Sequence, residues 1–257
     1  MDIIIICLAA FFTSVLTFFS GFGLGTILTP VFMIFFPVQL AIALTGIVHF
    51  FNNIFKIFLV GKKADKAVLI RFGIPAIVAS FAGAALLLNI PDNQPLFGYK
   101  LFDKYFEVYP VKFLISVLLI FFAAMDLFPY LQKIKFGKNQ LPLGGFLSGF
   151  FGGLSGNQGA FRSAFLIKAG LSKEVFIGTG VVVSSFVDFT RLGVYATRMK
   201  ESGLFNNLLL VSLAVLSAIT GAYLGNKLLR KVTIHSIQTL VAIMLIFVSI
   251  ALGMGII

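Results

Sequence analysis

The chain has 257 residues, of which 59% are hydrophobic and 11% charged, whereas a soluble domain carries roughly 25% charged residues. With 32 phenylalanines and a mean hydropathy of +1.06, it holds more apolar surface than a water-soluble sphere can hide. A soluble enzyme and a disordered chain are both excluded, and the formal net charge of +11 reads as a membrane-topology signal rather than as nucleic-acid binding.

The apolar segments predict an all-α polytopic membrane protein of about eight to ten transmembrane or half-membrane helices. Residues 2–36 form one run, too long for a single crossing and broken at Gly21, Gly23 and Gly25 and at Pro30. A helical hairpin is expected there. Crossings are expected over 38–60, 67–89 and 111–131. The run 141–168 is broken at Gly152-Gly153 and Gly156. Its halves of about 12 residues would rise only ~18 Å, too little for a ~30 Å core, so a re-entrant hairpin is expected. Crossings follow over 173–195, 204–227 and 235–256. The polar stretch Pro91 to Pro110 is too short to bury a core of its own.

If both broken runs return to their starting side, one face receives twelve cations: Lys62, Lys63, Lys66, Arg71, Lys133, Lys135, Lys138, Lys168, Lys173, Lys227, Arg230 and Lys231. The other receives five: Lys100, Lys104, Lys112, Arg198 and Lys200. The richer face is assigned to the cytoplasm. Both termini are then expected outside a cytoplasmic (inner) membrane.

The two halves, 1–131 and 132–257, resemble each other at an offset of 134 to 135 residues. Gly21 matches Gly156, Thr45-Gly46 matches Thr179-Gly180, Phe51 matches Phe186, and Asn53 with Lys56 matches Asp188 with Arg191. An odd number of crossings in the first half inverts the second. Inverted repeats with broken helices are a recurring architecture of secondary transporters.

The same residues carry a family resemblance. The opening Gly21-Phe22-Gly23-Leu24-Gly25-Thr26-Ile27-Leu28-Thr29-Pro30, the Thr45-Gly46 pair, and the echoes Gly156-Asn157-Gln158-Gly159 and Ile177-Gly178-Thr179-Gly180 resemble the TauE/SafE family of sulfite and organosulfonate exporters. The resemblance covers nearly the whole chain. It implies an inner-membrane carrier of small sulfur-containing anions. Asn157, Gln158, Ala160, Arg162 and Phe165 stand where the family's second repeat usually carries more glycine and a proline.

An anion inside a membrane needs donors and positive charge. A re-entrant hairpin presents a half-helix N-terminus near the midplane. Asn157, Gln158, Gly159 and Arg162 are therefore the leading substrate-binding candidates, joined by Asn53 and Arg191. Asp188 and His49 are candidates for ion coupling or counter-charge, and Asp188 can pair with Arg191 three residues on. Gly21, Gly23, Gly25 and Gly156 are read as helix-breaking glycines. Lys56, near the end of its segment, reads as snorkelling to the surface. His235 reads as interfacial.

No cofactor or metal is expected: the one thiol is Cys7, and HExxH is absent. The expected partners are a small anion and the bilayer, with proton or other ion coupling and a homodimer as open additions. An anion channel or a non-transporting scaffold is the alternative class. An intramembrane serine protease is a minor one, resting on Gly153-Leu154-Ser155-Gly156; it would need a histidine beside Ser155. Without a phosphate-cradling GxxxxGK[ST] motif, transport is expected to be secondary.

Overall fold

The computed structural model of the protein describes residues 2–20, 23–127, 137–168, 170–197, 204–228 and 234–257. Gly21 and the loop cations Lys133, Lys135, Arg198, Lys200, Arg230 and Lys231 lie outside the described residues. Ten helices run through the rest. They are α1 (Asp2–Ser20), α2 (Gly25–Phe35), α3 (Val38–Val60), α4 (Lys66–Asn89), α5 (Pro110–Leu127), α6 (Leu141–Ser155), α7 (Gly159–Lys168), α8 (Lys173–Ala196), α9 (Leu208–Leu228) and α10 (Ile234–Gly253). Among the described residues, four helices are long and apolar enough to cross a membrane, spanning Val38–Lys63, Lys66–Asn89, Lys173–Ala196 and Leu208–Lys227. The protein is an all-α polytopic membrane protein.

The outward surface fits lipid and not water. Phe58, Phe247 and Leu209 are 80%, 71% and 70% exposed, and a water-soluble monomer does not present apolar side chains in such density. Polar residues are turned inward instead, the reverse of a soluble fold.

Both glycine-broken runs divide as expected, but unequally. In the first, α1 has 19 residues and α2 only 11; at 1.5 Å per residue α2 rises about 16 Å, roughly half a hydrocarbon core. In the second, α6 has 15 residues and α7 10, not two equal halves. Gly156 ends α6 in the left-handed region (φ +80°), its N–H donating to the carbonyl of Gly152. A residue with a Cβ is strained there, so the turn demands glycine.

One difference concerns the polar stretch before α5. It folds as a β-hairpin, with β1 (Phe97–Leu101) antiparallel to β2 (Lys104–Val108). Phe102 and Asp103 both have positive φ, as a two-residue hairpin turn of this hand requires. Tyr99 donates a hydrogen bond to the Met254 carbonyl, tying the hairpin to the end of α10. The stretch is too short for a core, as expected, but it has a helix to lean on.

The helices pair in matched sets: α1 with α9 and α6 with α4; α3 with α9 and α8 with α4; α3 with α8; α5 with α10. Lipid tails provide no hydrophobic drive between helices, so close backbone approach through small residues must hold them. Gly145, Gly149 and Gly153, four apart on α6, run along the backbone of α4. A Cβ on them would lie 2.0, 1.9 and 2.1 Å from the carbonyl oxygens of Phe72, Ala76 and Ser80. On α9, Gly221 and Gly225 face the carbonyl oxygens of Phe11 and Val15 on α1 in the same way. Within α4, residues Leu69–Gly73 form a π-turn, one turn before Pro75, whose missing N–H leaves a carbonyl of that turn without its usual helical donor.

Gly149→Ala therefore forces two helix backbones apart and is expected to cost about 2 kcal/mol or more, read as a lower melting midpoint in detergent. Gly193→Ala, at a position with nothing within 4 Å of the added carbon, is expected to leave the midpoint unchanged or raise it.

Candidate functional site

The interior is organised around one carboxylate. Asp188, on α8, is fully buried. Its Oδ2 lies 2.5 Å from His49 Nδ1 and accepts from Asn53 Nδ2 at 3.1 Å. Its Oδ1 accepts from Gln158 Nε2 at 3.1 Å and Arg191 Nε at 3.0 Å, with Arg191 Nη2 at 2.9 Å. The helical spacing explains two of these: His49 and Asn53 are four apart on α3, and Asp188 and Arg191 three apart on α8. Gln158 comes from the turn between α6 and α7. A carboxylate only accepts, so the proton on His49 faces it from Nδ1. His49 Nε2 points the other way, 3.0 Å from where a Cβ on Gly23 would lie.

Beside this cluster lies a small cavity of about 30 Å³, room for about two waters or one small ligand. It is lined by Thr17 and Phe18 of α1, Gly23 and Leu24 of the first hairpin turn, and His49, Asn53 and Lys56 of α3. Arg162 of α7 and Phe176, Ile177, Gly180, Val181 and Ser184 of α8 complete it. Two cations face it, Arg162 and Lys56, each 5% exposed, and no carboxylate lines it. Arg162 donates to the Ser184 hydroxyl.

Lys56 corrects an expectation. It does not snorkel. The Asn52 amide, turned to suit its neighbours, accepts from Lys56 Nζ at 3.2 Å and meets Ser14 and the Ala218 carbonyl on its other side. The ammonium also stands 5.3 Å above the centre of the Phe18 ring. Phe18 at the end of α1 covers it, which no local spacing announces.

The other candidates are distributed as follows. Asn53, Gln158, Asp188, Arg191 and His49 come together in the carboxylate cluster, and Arg162 in the cavity. Asn157 is buried at the hairpin turn, and neither amide atom has a hydrogen-bond partner among the described residues. Gly159 opens α7. Gly23 and Gly25 border the first break and Gly156 the second. Of the side chain of His235 nothing is described. Ser155 donates to the Phe151 carbonyl at 2.9 Å, and its hydroxyl has no histidine partner among the described residues.

The Thr-Gly pairs, singled out only as repeat markers, have a spatial role. Gly180 lies against Arg162, with a Cβ there 3.3 Å from Nε. Gly46 lies against Arg191, with a Cβ there 3.4 Å from Nη2. Each glycine makes room for a guanidinium on a packed helix face. Thr179 accepts from the Asp65 backbone N–H at 2.9 Å. Ser184, one turn before Asp188 on α8, accepts a hydrogen bond from Arg162.

Buried basic side chains, oriented amides and half-helix ends thus gather around one cavity inside a multi-pass membrane protein. The chain belongs to the sulfite exporter TauE/SafE family, whose model matches residues 6–252. Family membership implies a membrane transporter of sulfite or organosulfonates and not an enzyme. No curated protein and no solved structure matches the chain.

Breaking one partner of a buried ion pair leaves the other uncompensated. Asp188→Asn alone is expected to destabilise the protein by about 3 kcal/mol or more. The double variant Asp188→Asn with Arg191→Gln is expected to cost less than the sum of the two singles, by about 1 kcal/mol or more, in a double-mutant cycle. Ser155→Ala is expected to keep most of the transport activity, since its hydroxyl bonds only backbone; a complete loss in a folded variant would place that hydroxyl in the transport machinery.

Proposed function

We propose that the protein is a secondary exporter of a small sulfur oxyanion, working by alternating access between two inverted repeats in a cytoplasmic membrane, with both termini outside. The observation that carries this is the cavity: two buried cations face it and no carboxylate lines it. Asp188 lies outside that lining, held by His49, Asn53, Gln158 and Arg191. Two basic side chains facing one cavity inside a membrane favour an anion between them.

Arg162 is the anchor in this reading. Its planar fork suits an oxyanion, and Ser184 and Gly180 hold it on the wall of the cavity. Lys56 adds a point charge from the opposite helix. Asn53 can turn its amide between Asp188 and the ligand. The cavity's volume suits a compact inorganic anion better than a longer organosulfonate. His49 is the proposed coupling group, with one ring nitrogen on Asp188 and the other towards the cavity, so a proton taken from that side is passed to the carboxylate cluster.

The matched helix pairings support the repeat reading: exchanging each helix of the first half with its counterpart in the second maps α1–α9 onto α6–α4 and α3–α9 onto α8–α4. The broken hairpins then occupy equivalent places. Homodimerisation stays part of the proposal only as an expectation.

The test is the melting midpoint of the detergent-purified protein against sulfite, sulfate, thiosulfate, sulfoacetate, taurine and short carboxylates. A ligand that binds the folded state raises the midpoint. At least one sulfur oxyanion is expected to do so in the wild type. In Arg162→Ala the half-maximal concentration is expected to rise about 10- to 100-fold, the equivalent of losing a charge-assisted hydrogen bond worth roughly 1.5–3 kcal/mol. An identical response in the variant would remove Arg162 from the site. No response to any anion would favour the scaffold.

A further inference from the structure

A second group of buried polar atoms lies outside the cavity, where the two hairpin turns meet. Arg191 is fully buried beside the Tyr195 hydroxyl, and its Nη1 has no hydrogen-bond partner among the described residues. The hydroxyl of Thr29, on α2, is also buried without one. Both point at the same place. A Cβ on Gly156 would stand 3.2 Å from Arg191 Nη1 and 3.3 Å from Thr29 Oγ1, so one small group there would touch both. The first turn of α2 borders this point as well: no side chain caps it, its Thr26 N–H is bonded to the Gly23 carbonyl, and a Cβ on Gly25 would lie 2.9 Å from the Gly156 carbonyl oxygen and 3.8 Å from Thr29 Oγ1. Asn157, with both amide atoms unpartnered, is the next residue of the same turn.

This group is separate from the cavity. Neither Arg191, Thr29, Gly156 nor Asn157 lines the cavity. Along α8, Ser184 borders the cavity, Asp188 follows one turn on, and Arg191 almost another, about 10 Å from Ser184 at 1.5 Å per residue. The Asp188–His49–Asn53–Gln158 cluster therefore stands between Arg162 and Arg191.

We infer that the meeting point of the two hairpin turns is a second oxyanion site, built by Arg191 Nη1, the Thr29 hydroxyl and the uncapped N-terminus of α2, and closed in this conformation by the contact of Gly25 with Gly156. Buried donors without acceptors are costly. A guanidinium, a hydroxyl and helix N–H groups converging on one point are an acceptor's complement. Parting of the two turns admits the anion. The substrate then has a guanidinium on each side of the carboxylate layer, Arg162 on the cavity side and Arg191 on the other, and is handed from one to the other. This inference rests on the carrier reading and deepens it.

The test removes the sites one at a time and reads the anion-dependent rise in melting midpoint, each variant against its own anion-free value. The probes are sulfite, sulfate and thiosulfate. Arg162→Gln removes the cavity anchor; Ser184→Ala, which takes away its partner, replaces that variant if it does not fold. Thr29→Val removes the hydroxyl at nearly constant volume and leaves the Asp188–Arg191 pair intact. Arg162→Gln is expected to keep a response with its half-maximal concentration raised about ten-fold. Adding Thr29→Val is expected to abolish the remainder, and adding Thr29→Ser instead to retain it. If Arg162→Gln loses the whole response, or if the Thr29→Val double variant responds as the single does, the second site is overturned while the carrier reading stands. If the wild type responds to none of the anions, both fall together.

Discussion

A carboxylate with no exposed surface, inside a protein whose outer solvent is lipid, is the constraint on which the remaining architecture rests. Desolvating one ion costs several kcal/mol even after relaxation. Asp188 recovers this only because five donor contacts reach it, from α3, from the turn after α6 and from its own helix. Those contacts set the register of α3 against α8 and the position of the second hairpin turn. A slide of one residue between α3 and α8 would withdraw His49 and Asn53 together. Van der Waals packing among Phe and Leu side chains does not specify position so sharply, because lipid tails can substitute for it.

The glycine stripes supply the close approach that this cluster needs. Hydrogen bonds of about 3 Å between side chains as short as Asp and Asn require nearby backbones. On α6, Gly145, Gly149 and Gly153 let α4 pass with its carbonyl oxygens where side chains would otherwise stand. That contact fixes the rising half of the hairpin, and hence the height at which Gly156 turns and Gln158 meets Asp188. Ser148, on the inner face of α6, donates to the Gln158 carbonyl at 2.9 Å and pins the turn from within. Gly46 and Gly180 act differently: they create room for Arg191 and Arg162, two side chains too large for an ordinary helix interface.

Much of this was legible in the sequence because helix breaks and intramembrane charge are local signals. The glycine clusters marked the breaks between α1 and α2 and between α6 and α7, the apolar runs marked the four helices long enough to cross a membrane, and the three-residue spacing of Asp188 and Arg191 announced their pairing. The four-residue spacing of His49 and Asn53 put them on one face, but only the folded chain shows that the face meets Asp188, 135 residues beyond Asn53. Lys56 was misread for the same reason. Distance from a segment end describes depth, whereas burial depends on what folds over that end, here Phe18 and Asn52. The β-hairpin escaped because a polar loop was weighed for a core of its own and not for a neighbour. Thr29 and Gly180 carried no signal as single residues; their meaning lies in the guanidinium each faces.

The placement of charge also bears on how a carrier can release what it binds. A site that satisfies an anion fully becomes a trap. Here the cations are divided between two levels, and the layer between them holds a negative charge. In the proposed carrier an anion held by Arg162 and Lys56 would feel Asp188 on its far side, and that repulsion would limit its affinity. Arg191 is tethered to the same carboxylate through Nε and Nη2 while Nη1 stays unpaired, so it can attract an anion without leaving its partner. Protonation of the His49–Asp188 pair would lower the negative charge of that layer and favour passage past it; loss of the proton would restore the barrier behind the departing anion. Coupling then requires no large rearrangement of the cluster. In the proposed cycle it would require only that the two glycine turns, Gly25 and Gly156, part on one side as the cavity closes on the other, a movement small enough for helices held by backbone contact and not by interlocked side chains.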